Sequence, residues 1–231
     1  MNGLGGVDRA FYSSSTAISI NLVSNINTGG EAQGDKLYNI EEISGSAQGD
    51  SIIGNSLNNR FFGQNGNDTL AGGTGADVLL GGAGSDSFVF NPGDSGQTAT
   101  TLDNIQDFAI GAVGVGDEVD FSSALSIGGT AAAASANEAS INASTGVASF
   151  AAGSGVTLAD ALNDIAVNMT TGGNAVGEFA FFRVNNTGFY YMFMSDGVAG
   201  VGANDVLVQL PNFASTIASI SIDAGDVTIL A

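Results

Sequence analysis

Residues 45–89 divide into five contiguous nonapeptides: GSAQGDSII, GNSLNNRFF, GQNGNDTLA, GGTGADVLL and GGAGSDSFV. A fixed short period constrains the fold strongly, because every repeat must take one local shape and bury its apolar side against its neighbours. Each repeat opens on a glycine: Gly45, Gly54, Gly63, Gly72 and Gly81. The sixth position reads Asp50, Asn59, Asp68, Asp77 and Asp86, and the eighth reads Ile52, Phe61, Leu70, Leu79 and Phe88. A glycine also stands fourth in the last three repeats, at Gly66, Gly75 and Gly84, where Gln48 and Leu57 occupy the first two.

Such a pattern is expected to wind as a parallel β-roll with two nonapeptides per turn, so that residues i and i+18 stack. The eighth-position side chains then point inward, into a thin core between two walls. Stacked strands lie about 4.8 Å apart, and a calcium–oxygen bond is about 2.4 Å. An ion midway between stacked carboxylates would reach both. The pairs are Asp50 with Asp68, Asn59 with Asp77, and Asp68 with Asp86. Without a cation, like charges about 5 Å apart repel by about 3 kcal/mol at an effective dielectric near 20. The glycines, Gly63, Gly66, Gly72, Gly75, Gly81 and Gly84, allow left-handed turns that aim backbone carbonyls at the same ion. Oxygen-only ligands of this kind suit Ca²⁺ better than Mg²⁺.

Charge sharpens the expectation. Lys plus Arg number 4 and Asp plus Glu 23, a formal net charge of −19, yet 44% of the residues are hydrophobic. The acid sits on a chain that folds, and it repels nucleic acid while inviting cations. Gly is 35 against Pro 2, which fits repeated tight turns better than a linker. No Cys and no His are present, which excludes Cys-based zinc sites and the commonest general base at neutral pH. No run approaches the ~20 apolar residues of a membrane span. Residues 1–30 lack a basic segment followed by an apolar one, so export would need a route other than an N-terminal signal.

Weaker copies lie upstream. GLGGVDRAF at 3–11 puts Asp8 sixth, and GEAQGDKLY at 30–38 puts Asp35 there in the same nine-residue frame, which makes Asp35 a further candidate ligand. AISINLVS at 17–24 alternates as a half-buried strand does. With the array under way at the third residue, the chain is expected to be the C-terminal piece of something longer. Two domains are expected: a calcium-binding roll over 1–90 and a capping, β-rich domain over 91–231. Residues 107–121 read as the cap, 157–169 as a short amphipathic helix, and 179–184 with 189–194 as a hairpin. Strands are expected at 206–210, 217–222 and 227–230.

No catalytic constellation is visible, and the chain is not expected to be an enzyme. Asp117, Glu118 and Asp120 form one acidic cluster and Glu41 with Glu42 another, but cap and lead-in account for them. The aromatic hairpin reads as core rather than as a carbohydrate platform.

The repeats resemble the RTX (repeats-in-toxin) family, whose signature GGxGxDxUx is matched most fully at 63–89. NIEEISGSAQGD resembles the lead-in to such arrays and DFAIGAVGVGDEVDFS the segment that closes them. The resemblance implies Ca²⁺ as the bound ion and a secreted, extracellular or cell-surface protein. It also implies the type I secretion machinery as a partner, with an uncleaved C-terminal signal that Asp226 followed by VTILA resembles. DGVAGVGANDVLVQL at 196–210 is similar to C-terminal regions of exported surface-layer and adhesin-like proteins. The leading expectation is a calcium-triggered folding and export module of such a protein. The alternatives are an accessory domain of a secreted protease, lipase or polysaccharide-modifying enzyme, and a ligand-binding adhesive module. A catalytic motif upstream of Met1 would favour the enzyme, and further repeats the surface protein.

Overall fold

The computed structural model describes residues 1–12, 16–96, 98, 100–111, 116–121, 126–127, 140–141, 147–149, 157–159, 161, 178–184, 188–196, 201, 204–211, 219–223 and 226–230. The chain is all-β. Its first half carries β1 (Arg9–Phe11), β2 (Ser19–Asn21), β3 (Glu42–Ser44), β4 (Ser51–Ile53), β5 (Arg60–Asn65), β6 (Thr69–Ala71), β7 (Val78–Ala83), β8 (Ser87–Phe90), β9 (Asp103–Ile105) and β10 (Glu118–Phe121). Odd-numbered strands stack in parallel into one wall and even-numbered strands into the other. Within the array the register is the expected 18 residues, with Phe61 opposite Leu79 and Ile52 opposite Leu70 opposite Phe88.

Side chains alternate across a strand, so one parity falls between the walls. Ile52, Phe61, Leu70, Leu79 and Phe88 are all fully buried there. Each contributes ~1.5–3 kcal/mol by leaving water. Ala10, Ile20, Ile43, Ile105 and Val119 occupy the equivalent places in the flanking strands and join the same core.

Outside the array the strands still stack, but the chain between them lengthens. Ala10 pairs with Ile43, Ile20 with Ile52, Leu79 with Ile105 and Phe88 with Val119. The upstream frame therefore corrects. Gly30–Ala32 is a short 3₁₀ turn, and residues 30–38 carry no strand of either wall, although Tyr38 bridges Asn2 in parallel. Residues 118–121, expected within a cap, are instead the next parallel rung beside β8.

The later strands are β11 (Ser126–Ile127), β12 (Ser140–Ile141), β13 (Val147–Ser149), β14 (Glu178–Arg183), β15 (Tyr190–Met194), β16 (Val206–Leu210), β17 (Ser219–Asp223) and β18 (Asp226–Leu230). β16 joins β9 in parallel and β18 joins β10 antiparallel, so both walls run on past residue 90. The expected hairpin is β14 with β15, from Phe179 opposite Met194 to Arg183 opposite Tyr190. Its two faces serve two cores. Phe179, Phe181, Met192 and Met194 extend the core of the roll, while Phe182, Tyr191 and Phe193 pack with Leu102 and Ala161 on the other side. Leu158, Ala159 and Ala161 are helical, with the Ala161 amide donating to the Thr157 carbonyl at 3.0 Å. The rest of the helix expected at 157–169 lies outside the described residues. The C-terminal β18 is an interior strand between β10 and β17, with Val227 and Ile229 in the main core.

Candidate metal centre

The sixth-position acids form a ladder along each edge of the roll, just before each inward-facing strand residue. On one edge Asp50 Oδ1 accepts the Ile18 amide at 2.8 Å and Asp68 Oδ1 the Asp50 amide at 2.7 Å. Asp86 Oδ1 accepts the Asp68 amide at 2.9 Å and Asp117 Oδ1 the Asp86 amide at 3.0 Å. On the other edge Asp77 Oδ1 accepts the Asn59 amide at 2.7 Å, and Asp103 Oδ1 accepts the Asp77 amide at 2.7 Å. The i, i+18 pairs named from the sequence are thus adjacent, each joined by a main-chain amide donating to the next side-chain carboxylate.

The second oxygen separates the members. Asp50 Oδ2 accepts the Ser46 amide at 2.6 Å, and Ser46 Oγ donates to Oδ1 at 2.9 Å. Asp117 Oδ2 accepts the Ala109 amide at 2.7 Å. The Oδ2 atoms of Asp68, Asp77, Asp86 and Asp103 have no hydrogen-bond partner, although all four side chains are buried. A buried anionic oxygen left bare is costly unless a charge meets it. Burial accordingly pushes the Asp68 and Asp77 carboxyls up to about 7 and Asp103 up to about 9. It raises Asp86 as well and takes Asp117 up to about 6. Neighbouring carboxylates add to the rise: Asp86 and Asp50 act on Asp68, and Asp77 acts on Asp103. In this arrangement the groups must take up either protons or a cation.

The glycines have two separate duties. The first glycine of a repeat makes room. A Cβ on Gly63 would run into Asp68 Oδ2 and the Gly81 carbonyl oxygen, and one on Gly72 into Asp77 Oδ2. One on Gly81 would meet Asp86 Oδ2. This close approach sets each carboxylate against its own turn; at Gly63 the carbonyl of the next turn lies beside it. The left-handed geometry expected of the glycines lies at the fourth position, with φ of 115° at Gly66, 142° at Gly75 and 151° at Gly84. The second position shares it, at Gln64, Gly73 and Gly82.

Other candidates differ. Asn59 Oδ1 accepts the Asn55 amide at 2.9 Å and its buried Nδ2 has no partner, so this rung offers no free carboxylate. Asp35 is off the ladder: it accepts the Tyr12 hydroxyl at 2.9 Å, because the next rung after Asp8 on that edge is Glu41, whose side chain accepts the Asp8 amide at 3.0 Å. Asp103 and Asp117 are rungs that lie beyond the contiguous nonapeptides and so escape their spacing rule. Their signal in the sequence is an acid two residues before an inward apolar residue, Asp103 before Ile105 and Asp117 before Val119, as Asp50 stands before Ile52.

Among the described residues no three acidic side chains converge on one point. An ion between turns would therefore be met by stacked carboxylates and completed by main-chain carbonyls. That hard, oxygen-only donor set fits Ca²⁺, which accepts six to eight oxygens in flexible geometry.

Residues 53–88 match the family model of the RTX calcium-binding nonapeptide repeat, in 4 copies. No curated protein matches the chain. Among solved structures it is similar to the AlgE6R2 subunit of the mannuronan C5-epimerase of Azotobacter vinelandii, determined in solution. The identity is 16% and the TM-score 0.32, over 90% of this chain and 85% of that one. Residues 53–88 are thus RTX calcium-binding nonapeptide repeats, and Ca²⁺ is the ion such repeats bind.

Proposed function

We propose that this chain is a calcium-triggered folding and export module at the C-terminus of a type I secreted surface-layer or adhesin-like protein. Asp68, Asp77 and Asp86 hold the ions of the array, with Gly63, Gly66, Gly72, Gly75, Gly81 and Gly84 shaping the turns around them. Asp50 and Asn59, whose acceptor oxygens the protein itself engages, contribute less. The observation that carries the reading is the set of buried carboxylate oxygens without partners at Asp68, Asp77 and Asp86. A roll built this way is disfavoured at low Ca²⁺ and neutral pH, and favoured once the ion arrives, because binding and folding are one equilibrium.

Export follows from the same property. A chain that stays open where Ca²⁺ is scarce suits a narrow channel, and folding outside would hinder its return. The module has no catalytic role in this reading. The test is secretion from a strain carrying a type I transporter, comparing the intact chain with one lacking residues 223–231. The shortened chain is expected to stay in the cell, while deletion of the array is expected to slow secretion without abolishing it. Normal amounts of the shortened chain in the medium would remove the export half of the proposal and leave calcium binding standing.

A further inference from the structure

The two walls of the roll begin differently. At the N-terminal side one ends on β1 and the other on β2, each a three-residue strand. The free edge of β2 is taken up by its own chain. The Ser19 amide donates to the Thr28 carbonyl at 2.8 Å, the Thr28 amide to the Ser19 carbonyl at 2.9 Å, and the Asn21 amide to Asn27 Oδ1 at 2.9 Å. Among the described residues no such segment lies beside β1, whose one partner strand is β3.

The Glu42 amide donates to the Asp8 carbonyl at 3.0 Å and the Tyr12 amide to the Ser44 carbonyl at 3.0 Å, so this parity of β1 faces β3. Alternation along the strand then turns the amides and carbonyls of Arg9 and Phe11 to the open side. Their side chains stand on the outer face. Phe11 is 62% exposed, and the Arg9 Nε donates to Glu42 Oε2 at 2.7 Å. Ala10 between them is buried in the core.

A short edge strand with an outward charge is one way a sheet discourages pairing. In β1 that charge meets its complement within the same strand. When two copies of β1 run antiparallel about Ala10, Arg9 of each faces Phe11 of the other. Both residues carry outward main-chain groups, so each such pair exchanges both its N–H···O bonds. The guanidinium of one copy falls on the same face as the exposed ring of the other, within reach of a cation–π contact. The strand is thus complementary to itself, as a two-fold interface requires.

Charge favours the same end. Residues 1–60 hold three of the four basic side chains, Arg9, Lys36 and Arg60, but only six of the 23 acids. Two chains of net charge −19 repel least where those ends meet. Apolar surface gathers there too: among the described residues, nine of the eleven large exposed apolar side chains lie between Met1 and Leu57.

We propose that β1 is a docking edge for a second copy of this chain, pairing antiparallel with its counterpart about Ala10, so that one wall runs unbroken through both copies. The interface draws on the function proposed above only in that calcium-driven folding of the roll forms β1.

Sedimentation velocity of the whole chain in saturating Ca²⁺, over a range of concentrations, tests this, with circular dichroism showing the roll folded. A monomer under those conditions counts against the interface and leaves the reading of the array untouched. The natural sequence is expected to pass from monomer to dimer as concentration rises. Phe11→Arg sets guanidinium against guanidinium in both pairs and should raise the dimer's dissociation constant about tenfold or more. Phe11→Glu sets a carboxylate against Arg9 and should keep it within about threefold of the natural value. Neither change touches the acid ladder, so the Ca²⁺ midpoint of folding should not move. Register is read separately. The chain has no cysteine, so Ala10→Cys should give an inter-chain disulfide on mild oxidation, because Ala10 faces Ala10 across the two-fold. A natural chain that stays monomeric at every concentration would overturn the proposal. So would equal loss of association in Phe11→Arg and Phe11→Glu, the result of apolar adhesion without strand pairing, or an Ala10→Cys dimer that does not cross-link.

Discussion

The turn of residues 45–50 and the turn of residues 63–68 stack directly on one another and end in the same residue type, yet they stand in opposite relation to a cation. Asp50 is closed off by its own turn, because Ser46 gives it both an amide and a hydroxyl. Asp68 receives nothing from its own turn and keeps a bare oxygen. The difference tracks the second position. Ser46 and Asn55 turn their amides onto the sixth-position side chain, whereas Gln64, Gly73 and Gly82 have positive φ and do not. The residues of the turn, more than the acid itself, decide whether a rung needs an ion. In the function proposed above, an acid whose turn already supplies hydrogen bonds acts as a structural cap, and one whose turn withholds them is the ligand.

The largest expected effect breaks this contrast at its centre. Asp68→Ala should raise the Ca²⁺ midpoint of folding by about tenfold or more, equivalent to ~1.4 kcal/mol per decade. Asp50→Ala should raise it much less. Its cost, ~1–3 kcal/mol from stranding the Ser46 and Ile18 amides, should appear as a lower melting temperature in saturating Ca²⁺. Calcium titrations in which Asp50→Ala proved the more damaging would reverse the assignment. Gly63→Ala comes next. The added methyl displaces Asp68 Oδ2 and the Gly81 carbonyl together, and calorimetry should show a loss of ~2–4 kcal/mol, in the range of severe core substitutions.

The metal-free chain should also respond to pH. Folded Asp68 and Asp77 titrate near 7 rather than at the usual 3.8, so the folded roll binds more protons than the unfolded chain between those values. Without metal its stability is therefore greatest below about 4 and falls as pH rises through about 7. Circular dichroism of the metal-stripped protein should show β structure growing on acidification from pH 8 to about 4. With Ca²⁺ the sign reverses: binding displaces protons, and affinity should weaken as pH drops below about 7. A metal-free chain equally ordered at both ends of that range would show that these carboxyls do not titrate with folding. The smallest effect concerns contacts that need no ion. Arg9 and Arg60 lie 4.8 and 4.9 Å from the ring centre of Phe62 on an outer wall, and Phe62→Ala should cost only ~0.5–1 kcal/mol with the Ca²⁺ midpoint nearly unchanged.

The stacking register of the array was legible because a β-roll with two repeats per turn turns sequence spacing into spatial adjacency. Phe61 over Leu79 and Asp50 beside Asp68 both follow from that rule. The hairpin of β14 and β15 was legible from its two apolar runs. Asp103 and Asp117 were not, because the ladder is held by strand pairing and amide-to-carboxylate bonds, and these tolerate loops of any length between rungs. Lengthening a loop costs free energy only logarithmically, so steps of 26 and 31 residues serve as well as 18. For the same reason the nine-residue frame misled at Asp35, where an unbroken count crossed a loop that leaves the wall. The interior place of β18 was hidden too, since its partner β10 is distant in sequence and nothing in the terminal residues names it.

The central claim is that bare carboxylates make folding depend on calcium, and far-UV circular dichroism of the whole chain at neutral pH tests it most directly. In chelator the array should be largely disordered. Adding millimolar Ca²⁺ should bring a cooperative gain of β signal, and the same concentration of Mg²⁺ should do far less, because Mg²⁺ keeps its waters and demands octahedral geometry. Identical β-rich spectra in chelator and in calcium would contradict the account, for the roll would then stand with no cation at its buried carboxylates.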